Sequence, residues 1–370
     1  MRSARTIIPT TWKASCWLLT VIVVYQTTRT TLACDRTDDS QLTKLKTPSA
    51  PISRLMFGSC AKQDKPIPIF ETVLTQAPEL FIFLGDNIYA DTTDMVLMRA
   101  KYARLKAHLA FSRLLNFCPV MATWDDHDYG ANDAGADYIK RHESQQVFLD
   151  FWKDPPDSPR RQRPGVYSSQ LFGPAGMRLQ IILLDTRFFR GPLQRGKRRV
   201  GGPYYPGSDP DITMLGSAQW SWLEKQLRQP AEIRIIASSI QCVAEAAGQE
   251  TWSNLPLERK RLFELVRTTH AQGVVLISGD RHWAELSVTR NDAPYPIYDL
   301  TSSSFNQPHQ RGTPTVNQYR ALPTTFHREN FGAIHIDWER PDPVIKFRIQ
   351  DLQGKVQLEQ SLPLSMLQAP

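Results

Sequence analysis

The stretch that decides the fold is Phe81-Ile82-Phe83-Leu84-Gly85-Asp86-Asn87-Ile88-Tyr89-Ala90-Asp91. Four apolar residues closed by a Gly-Asp turn predict a strand that is buried on both faces. Two carboxylates, an amide and a phenol then follow within six residues. Because ligands of an open α/β sheet bind beyond the carboxyl ends of its strands, Asp86 and Tyr89 lie where a catalytic or metal site is expected. The alternative is a solvated turn in which Asp86 caps the next helix.

Strands and helices alternate on both sides of this stretch, which predicts an α/β fold with α+β layering, in which central β-sheets are flanked by helices. A loop rich in Gly, Pro and Tyr spans residues 190–216, and loops of this length in a compact domain are usually lids or rims of functional sites. The predicted helices lie near 66–74, 95–109, 140–152, 217–228 and 256–271; the predicted strands lie near 54–58, 80–84, 119–123, 166–172, 178–185, 232–238 and 273–279, with antiparallel strands at 297–302, 331–338, 343–350 and 354–360.

Four of the predicted strands end in side chains that bind metals or move protons. If these strands lie parallel in one sheet, the four sets meet at one edge of it. A single His or Asp at a strand end is more often a cap or a turn residue, but four sets in succession favour a site. The four sets are Cys60, then Asp86 with Tyr89, then Asp126 with His127, and then Asp280 with His282.

The mixture of these side chains indicates metal-assisted hydrolysis. Carboxylates and imidazoles suit hard and borderline cations, whereas a thiolate together with a phenolate suits an oxidised transition metal such as ferric iron. Two metals bridged by one carboxylate lower the pKa of a bridging water, so that hydroxide exists near neutral pH. That metal-bound hydroxide can attack phosphorus in line while the cations neutralise the charge on the phosphate oxygens.

Six short motifs, in order between residues 53 and 350, resemble those of the PhoD-type alkaline phosphatases, within the wider calcineurin-like metallophosphoesterases. The resemblance implies a calcineurin-like fold over residues 53–370, a metal site at the carboxyl ends of the strands, and the activity of an alkaline phosphatase D-like phosphoric ester hydrolase. The motifs are Gly58-Ser59-Cys60, Leu84-Gly85-Asp86-Asn87-Ile88-Tyr89, Trp124-Asp125-Asp126-His127-Asp128, Leu184-Asp185-Thr186-Arg187, Ser278-Gly279-Asp280-Arg281-His282 and Asn330-Phe331-Gly332.

The resemblance also implies the roles of individual residues in a site for Fe(3+) and Ca(2+). Asp86 matches the bridging aspartate, and Tyr89 stands where many relatives have a second Asp and where purple acid phosphatases have a tyrosine that binds ferric iron. His127 keeps the place of a histidine that acts as general acid or contacts phosphate, whereas Asp126 replaces an Asn ligand. The implied metal ligands are Cys60, Asp86, Tyr89, Asp126, Asp280 and His282.

Other residues near these motifs have two interpretations each. Arg187 could contact the phosphate of a substrate, or it could form a salt bridge to Asp185 or a neighbour that shapes the loop. Cys118 and Cys242 are expected to be buried apolar residues rather than ligands. Four further residues could bind a cation or lie in solvated loops, and the solvated loop is favoured for each: Asp91, Asp94, Asn132 and Asp133.

The sequence therefore predicts a monomeric, exported phosphomonoesterase or phosphodiesterase that depends on metal and acts on a small phosphate ester. A second hypothesis is a catalytically idle envelope or binding protein with the same fold. A third is a nuclease or phospholipase that acts on a large diester, with Arg195-Gly196-Lys197-Arg198-Arg199 along the path of the nucleic acid or phospholipid. For that basic run alone, a solvated loop is the simpler explanation.

Residues 1–33 are predicted to be a signal peptide, and 34–52 a linker. Cations precede the apolar run 16–25, which is too short to span a bilayer comfortably, so we expect cleavage after Ala33 and no membrane span in the mature chain. An uncleaved anchor and a lipid at Cys34 are the alternatives. Arg2 and Arg5 are not adjacent, so the twin-arginine signal of some relatives is not predicted. Nor do we expect the N-terminal β-sandwich of many relatives, since only a linker precedes the first strand.

Composition supports a globular chain. Of 370 residues, 41% are hydrophobic, which is enough for a large core and excludes a disordered protein. The predicted leader contributes four cations and no acid, so the formal charge falls from +7 to +3 without it. That modest charge is weak support for nucleic-acid binding. Five cysteines, one of them in the leader, are too few to form a disulfide scaffold in so long a chain.

Overall fold

The computed structural model describes residues 50–245, 248–309 and 316–369. In chain order the strands and helices are β1 (Arg54–Gly58), α1 (Ile69–Thr75), β2 (Leu80–Leu84), α2 (Met95–Ala107), α3 (Leu109–Phe117), β3 (Val120–Thr123), α4 (Asp126–Tyr129), α5 (Arg141–Phe151), α6 (Pro159–Gln162), β4 (Ser168–Phe172), β5 (Leu179–Leu183), β6 (Arg195–Arg199), β7 (Gly202–Tyr204), α7 (Gly216–Leu227), β8 (Ile233–Ala237), α8 (Pro256–Thr268), β9 (Val274–Ser278), β10 (Ala284–Thr289), β11 (Ile297–Ser302), β12 (Asn330–Asp337), β13 (Val344–Asp351) and β14 (Val356–Pro363). Short 3₁₀ helices lie at Trp252–Asn254 and Leu364–Leu367.

The described strands form two six-stranded sheets and one separate hairpin. The first sheet has the order β14-β13-β12-β1-β2-β3, in which β1, β2 and β3 are parallel and the C-terminal strands are antiparallel. The second has the order β10-β11-β9-β8-β5-β4, with antiparallel strands at both edges. The predicted α/β fold with central sheets is confirmed. The strands that end at the predicted site belong to two sheets rather than one, since β9 lies in the second.

Strand β2 shows why the two sheets pack face to face. Its alternate residues point to opposite faces. Leu80, Ile82 and Leu84 belong to the hydrophobic cluster that includes the second sheet, whereas Phe81 and Phe83 belong to a cluster formed with the helices α1, α2, α3 and α5. All five side chains have no exposed surface. The apolar run therefore lies between a sheet and a helical layer, as a strand buried on both faces requires.

The predicted helix over 95–109 divides at His108. Helix α2 ends at Ala107 and α3 begins at Leu109, with an extended backbone at His108 between them. The His108 ring is 2.9 Å from the carbonyl oxygen of Gln63, a contact that fixes the turn. Met95, Met98, Tyr102, Leu105 and Leu109 recur at helical spacing, which predicts that all five face the core. Leu109 is 80% exposed, so the prediction is wrong for that residue.

The predicted loop at 190–216 contains regular structure that the sequence did not indicate. Residues 195–199 and 202–204 pair as the antiparallel hairpin β6-β7. The first strand of this hairpin consists of four cations and a glycine, so it lacks the alternation of apolar residues by which strands are recognised.

Several predictions concern residues that the structure does not describe. The signal peptide at 1–33 lies outside the described residues, as does the linker except for its last three residues. Within the described part of the chain, no helix is long and apolar enough to cross a membrane. Cys118 and Cys242 are free and buried, in agreement with their predicted role as apolar residues.

Candidate metal centre

Loops from both sheets meet at the carboxyl ends of their parallel strands. Cys60 follows β1, Asp86 follows β2, and Asp126 begins α4 after β3, while the pair Asp280 and His282 follows β9 of the second sheet. Potential ligand atoms lie within 4.8 Å of one another in three overlapping groups: Cys60, Asp86 and His282; Asp86, Asp126 and His127; and Asp86, Asp125, Asp126 and Asp280. Asp86 is the member common to all three groups.

Direct contacts tie these groups together. The Cys60 thiol lies 3.4 Å from Oδ2 of Asp86, and the Tyr89 hydroxyl lies 3.2 Å from Nε2 of His282. The backbone N–H of His127 donates to Oδ1 of Asp86 at 3.4 Å. The thiol, phenol, imidazole and carboxylate that the sequence singled out therefore lie side by side, and their roles as ligands stay a prediction.

The backbone at the site adopts a conformation that is rare outside glycine. The φ angles are 64° at Cys60, 50° at Asp86, 66° at Asp280 and 61° at His282. A left-handed conformation at a non-glycine residue costs roughly 1–3 kcal/mol, and such residues cluster at functional sites. The tight turns after β1, β2 and β9 thus aim four side chains inward at the expense of local stability.

Burial and neighbouring charges at the site disfavour the charged forms of Asp86, Cys60 and His282. Burial raises the pKa of Asp86 well above its ordinary value, and the charges of Cys60 and Asp126 raise it further. Burial raises the pKa of the Cys60 thiol to about 11. Burial, with smaller contributions from His309 and Arg281, lowers the pKa of His282 to about 3. A cation among these groups would stabilise the carboxylates, the thiolate and the neutral imidazole together.

His127 is the one member of the predicted set that is held by a carboxylate from outside the cluster. Its Nδ1 lies 2.7 Å from Oδ1 of Asp91, and its ring lies 4.3 Å from the ring of Tyr89. Burial alone would lower the pKa of His127, but Asp86, Asp91 and Asp126 outweigh it and raise the pKa to about 11. The surrounding carboxylates thus favour the protonated imidazole, and the contact with Asp91 fixes one side of the ring in direction.

Arg187 lies behind the carboxylates and not on their open side. Its side chain has no exposed surface, and its guanidinium lies 2.5 Å from Asp125, 2.7 Å from Glu250 and 3.9 Å from Asp126. Burial raises the pKa of Asp126, but Arg187 and His127 outweigh burial and hold it below its ordinary value. The Arg187 side chain is fully buried, so it has no surface with which to contact a phosphate. The alternative, an ion pair that shapes the loop, fits the structure, but the partners are Asp125 and Glu250 instead of Asp185.

Asp128, which the sequence analysis did not single out, positions two of the loops. Its Oδ1 accepts from the backbone N–H groups of Asp86 at 3.1 Å and Asp125 at 2.7 Å, and its Oδ2 accepts from the Asn87 side chain at 2.6 Å. The Tyr102 hydroxyl donates to the same oxygen at 3.3 Å. This buried carboxylate therefore sets the separation of the turns after β2 and β3.

Glu250 is an acid that sequence reasoning did not place at the site, and Asp133 is one for which it favoured a solvated loop. Together with Asp126 they form a fourth group of potential ligands within 4.8 Å. The N–H of Asp133 donates to Oδ2 of Asp126 at 2.6 Å, while Glu250 is paired with Arg187 and, at 3.2 Å, with Arg190. Glu250 follows no predicted strand, so only the fold brings it here.

The remaining candidate ligands divide between the two interpretations. Asp94 is exposed and accepts from the N–H of Val96 at 2.8 Å as the N-cap of α2, and Asn132 is exposed. The solvated loop or cap is therefore supported for both. Asp91 and Asp133 instead contact His127 and Asp126, so they support the site without belonging to the central group.

The chemistry of the donors fits bound metal. Three buried carboxylates, Asp86, Asp125 and Asp126, share one small region with Asp280. Arg187 and Arg281 pair with Asp125, Asp126 and Asp280, but no described arginine or lysine forms a salt bridge with Asp86, so a bound cation would offset the remaining repulsion. Asp86 shares one group of potential ligands with the Cys60 thiol and the His282 imidazole, and a second group with the carboxylates Asp125, Asp126 and Asp280. The donors of the first group suit a softer, more oxidised cation, and the carboxylates of the second group suit a hard cation.

The family model of PhoD-like phosphatases matches residues 55–339, which is most of the chain. The chain belongs to the PhoD-like phosphatase family. The matched range contains every residue of the candidate centre, from Cys60 to His282. Membership therefore rests on the same region that the geometry singles out.

Two known proteins show how far the likeness extends. Alkaline phosphatase D of Bacillus subtilis is 25% identical over 208 residues, which cover 49% of this chain and 33% of that protein. The match thus spans about a third of the relative's length. A solved structure of PhoD is 16% identical, covers 85% of this chain and 72% of that chain, and superimposes with a TM-score of 0.61. That likeness establishes that the chain shares the fold of PhoD.

Proposed function

We propose that this PhoD-like chain is an exported phosphoesterase that requires metal and hydrolyses phosphate esters. The observation that supports the proposal best is the position of Asp86, a buried carboxylate common to three groups of potential ligands, one of which contains the Cys60 thiol and two of which contain other acids. A carboxylate in this position can bridge two cations. Export rests on the predicted leader alone.

The chain's own residues suggest which cation each of two groups of ligands would hold. Cys60, Tyr89 and His282 provide the thiolate, phenolate and imidazole that favour Fe(3+), with Asp86 shared. Asp126 and Asp280 provide the oxygen ligands that favour Ca(2+). Such cations, when bound, supply the Lewis-acid charge that neutralises the phosphate oxygens during transfer.

His127 is proposed as the general acid. Its Nδ1 is held by Asp91, and no described residue pairs with its Nε2. The proton at Nε2 can therefore pass to the oxygen of the leaving group as the ester bond to phosphorus breaks. Asp91 would act only by fixing the direction of the ring.

Replacement of His127 by Ala is expected to lower kcat by at least about a hundredfold, because a positioned general acid typically contributes that much or more. KM is expected to change little. The measurement is steady-state kinetics on a 4-nitrophenyl ester and on an ester with a more basic leaving group. The loss should be larger for the basic leaving group, which depends more on protonation. A rise in KM alone would instead make His127 a phosphate contact.

Protein expressed without residues 1–33 is expected to contain iron and calcium and to hydrolyse 4-nitrophenyl phosphate, bis(4-nitrophenyl) phosphate or both. Chelation should abolish this activity. A phenolate bound to ferric iron absorbs visible light through charge transfer. A charge-transfer band should therefore be present in the wild type and absent from Tyr89→Phe. Elemental analysis, absorption spectra and assays on the same preparation test all three points. Well-folded, metal-loaded protein that is silent on every phosphoester would instead support the idle binding protein.

A further inference from the structure

A buried serine hydroxyl lies between two of the predicted metal ligands. Oγ of Ser303 is 3.1 Å from Sγ of Cys60, and the backbone N–H of His282 donates to the same Oγ at 2.8 Å. Ser303 follows β11, whereas Cys60 follows β1 and His282 lies in the turn after β9. Because β1 belongs to the first sheet and β9 and β11 to the second, this one hydroxyl connects ligands that come from different sheets.

The two partners of Ser303 fix the direction in which its hydroxyl donates. A backbone N–H can only donate, so the contact with His282 occupies a lone pair of the Ser303 oxygen. The hydroxyl proton is then available to Sγ of Cys60. Metals bind cysteine as the thiolate, which has no proton and can only accept. In the metal-bound site this contact is therefore a charge-assisted O–H···S hydrogen bond.

The backbone after Ser303 is held against the turn that carries Cys60. The N–H of Phe305 donates to the carbonyl oxygen of Ser59 at 3.0 Å, which ties the two segments together beside the thiol. Ser304 has a φ of 150°, a conformation that favours glycine, and such strained residues cluster at functional sites. Ser303 itself has no exposed surface. The hydroxyl is therefore placed by the fold and not by a chance rotamer of a surface side chain.

The neighbouring serines do not occupy the same position. Oγ of Ser59 lies 3.5 Å from Sγ of Cys60, and it donates to the carbonyl oxygen of Ser302 at 3.4 Å. The Ser302 hydroxyl donates instead to Oδ1 of Asn330 at 2.8 Å. Of these three serines, Ser303 makes the shortest contact with the sulfur, and Ser302 provides an equally buried hydroxyl with a different partner.

We propose that Ser303 is a positioning residue for the ligand group of Cys60 and His282, in which its hydroxyl donates to the Cys60 thiolate and holds the backbone of His282 beside it. This inference rests on the proposed function, since it concerns a cation that the function requires. A hydrogen bond to a ligating sulfur withdraws electron density from it and thereby raises the reduction potential of the bound metal. The cation then keeps more of its own charge with which to polarise its other ligands.

The test compares Ser303→Ala with the matched control Ser302→Ala, which removes a hydroxyl from the adjacent buried residue. The probe is Co(2+), added to protein from which metal has been removed by chelation. A thiolate bound to cobalt has a charge-transfer band in the near ultraviolet, whichever cation the protein holds naturally. Absorption titrations in the presence of a competing chelator give both the position of this band and the Kd for Co(2+).

Ser303→Ala is expected to shift the thiolate band to longer wavelength and to bind Co(2+) about tenfold more weakly, whereas the control should match the wild type. In the iron-loaded variant the ratio of ferric to ferrous iron at one fixed poise should rise about tenfold, which corresponds to a reduction potential lower by about 59 mV. An unshifted band in Ser303→Ala, or equal shifts in the two variants, would overturn the proposal. This holds even where binding weakens, because general loosening of the site also lowers affinity.

No substrate enters these measurements, so failure of the inference and failure of the proposed function are distinguishable. If the wild type hydrolyses no phosphoester but the cobalt band shifts in Ser303→Ala alone, the phosphoesterase is rejected and the role of Ser303 stands. If the wild type is active and its band matches that of Ser303→Ala, the phosphoesterase stands and the role of Ser303 is rejected. A wild type without a thiolate band would show that Cys60 is no ligand and would reject the inference whatever the activity.

Discussion

Asp86→Asn is expected to lower kcat/KM by at least about a thousandfold without loss of the fold. Asp86 is the carboxylate shared by three groups of potential ligands, and an amide has only one oxygen and no charge with which to bridge cations. Asn also tolerates the φ of 50° at this position, so the turn after β2 need not change. Steady-state kinetics and elemental analysis of the variant test both the rate and the metal content.

The matched control is Asp94→Asn in the neighbouring loop. Asp94 is exposed and caps α2 through its Oδ1, and Asn caps helices as well as Asp does. This control makes the same chemical change a few residues away and should retain full activity. Undiminished activity in Asp86→Asn would reject the assignment of the centre, and a comparable loss in Asp94→Asn would mean that the assay responds to loop charge in general.

Asp86→Asn is expected to lower activity but not to destabilise protein from which metal has been removed by chelation. Asp86 is fully buried among Asp125, Asp126 and Asp280, where its charge is both desolvated and repelled. Removal of that charge should leave the melting temperature of chelated Asp86→Asn equal to or above that of the chelated wild type. With metal restored, the order should reverse, because only the wild type gains the full binding energy. Calorimetry of both proteins in both states makes this comparison.

The sequence was informative where side chains that can bind metals or move protons follow directly after an apolar strand. Phe81 to Leu84 predicted β2 and its burial, and the polar residues after it predicted the position of Asp86 and Tyr89. Cys60 and His282 could be placed by the same argument, since the parallel direction of the strands brings their carboxyl ends to one side. Such residues are predictable because strand direction and strand end are both local properties of the chain.

The sequence did not predict the features of the site that depend on packing between distant segments. That β1 and β9 lie in different sheets follows from which apolar faces pair, and several pairings satisfy the same pattern. Glu250 joins the site from a loop that follows no strand motif. Asp125 and Asp128 lay in a motif already quoted, and their excess of acid directly after the buried strand β3 was a signal that could have identified them.

Arg187→Met is expected to lower the free energy of unfolding by roughly 3–5 kcal/mol, the range for removal of one partner from a buried ion pair. Met retains much of the side-chain volume but leaves the buried carboxylates of Asp125 and Glu250 without the cation that neutralises them. Glu250 keeps Arg190 as a partner, whereas Asp125 keeps only hydrogen bonds such as that from the Ser239 hydroxyl at 2.6 Å. The measurement is chemical denaturation monitored by tryptophan fluorescence.

A second arginine with the same kind of partner provides the control. Arg178 pairs with Glu232 at 2.7 Å, but both side chains are about a quarter exposed. Water replaces much of that interaction when it is broken, so Arg178→Met should lower the free energy of unfolding by about 1 kcal/mol or less. Similar losses in the two variants would show that the burial of Arg187 has no special energetic consequence.

A double-mutant cycle can separate the cost of an unpaired buried carboxylate from the cost of lost packing. If the loss in Arg187→Met comes mainly from the uncompensated carboxylate, adding Asp125→Asn should restore part of the stability, because the second substitution removes the charge that the first one exposed. In the wild-type background Asp125→Asn should be destabilising, since Arg187 then loses a partner. If the losses of unfolding free energy in the two single variants simply add in the double variant, the effect comes from packing. Arg187 would then not stabilise the acidic centre by its charge.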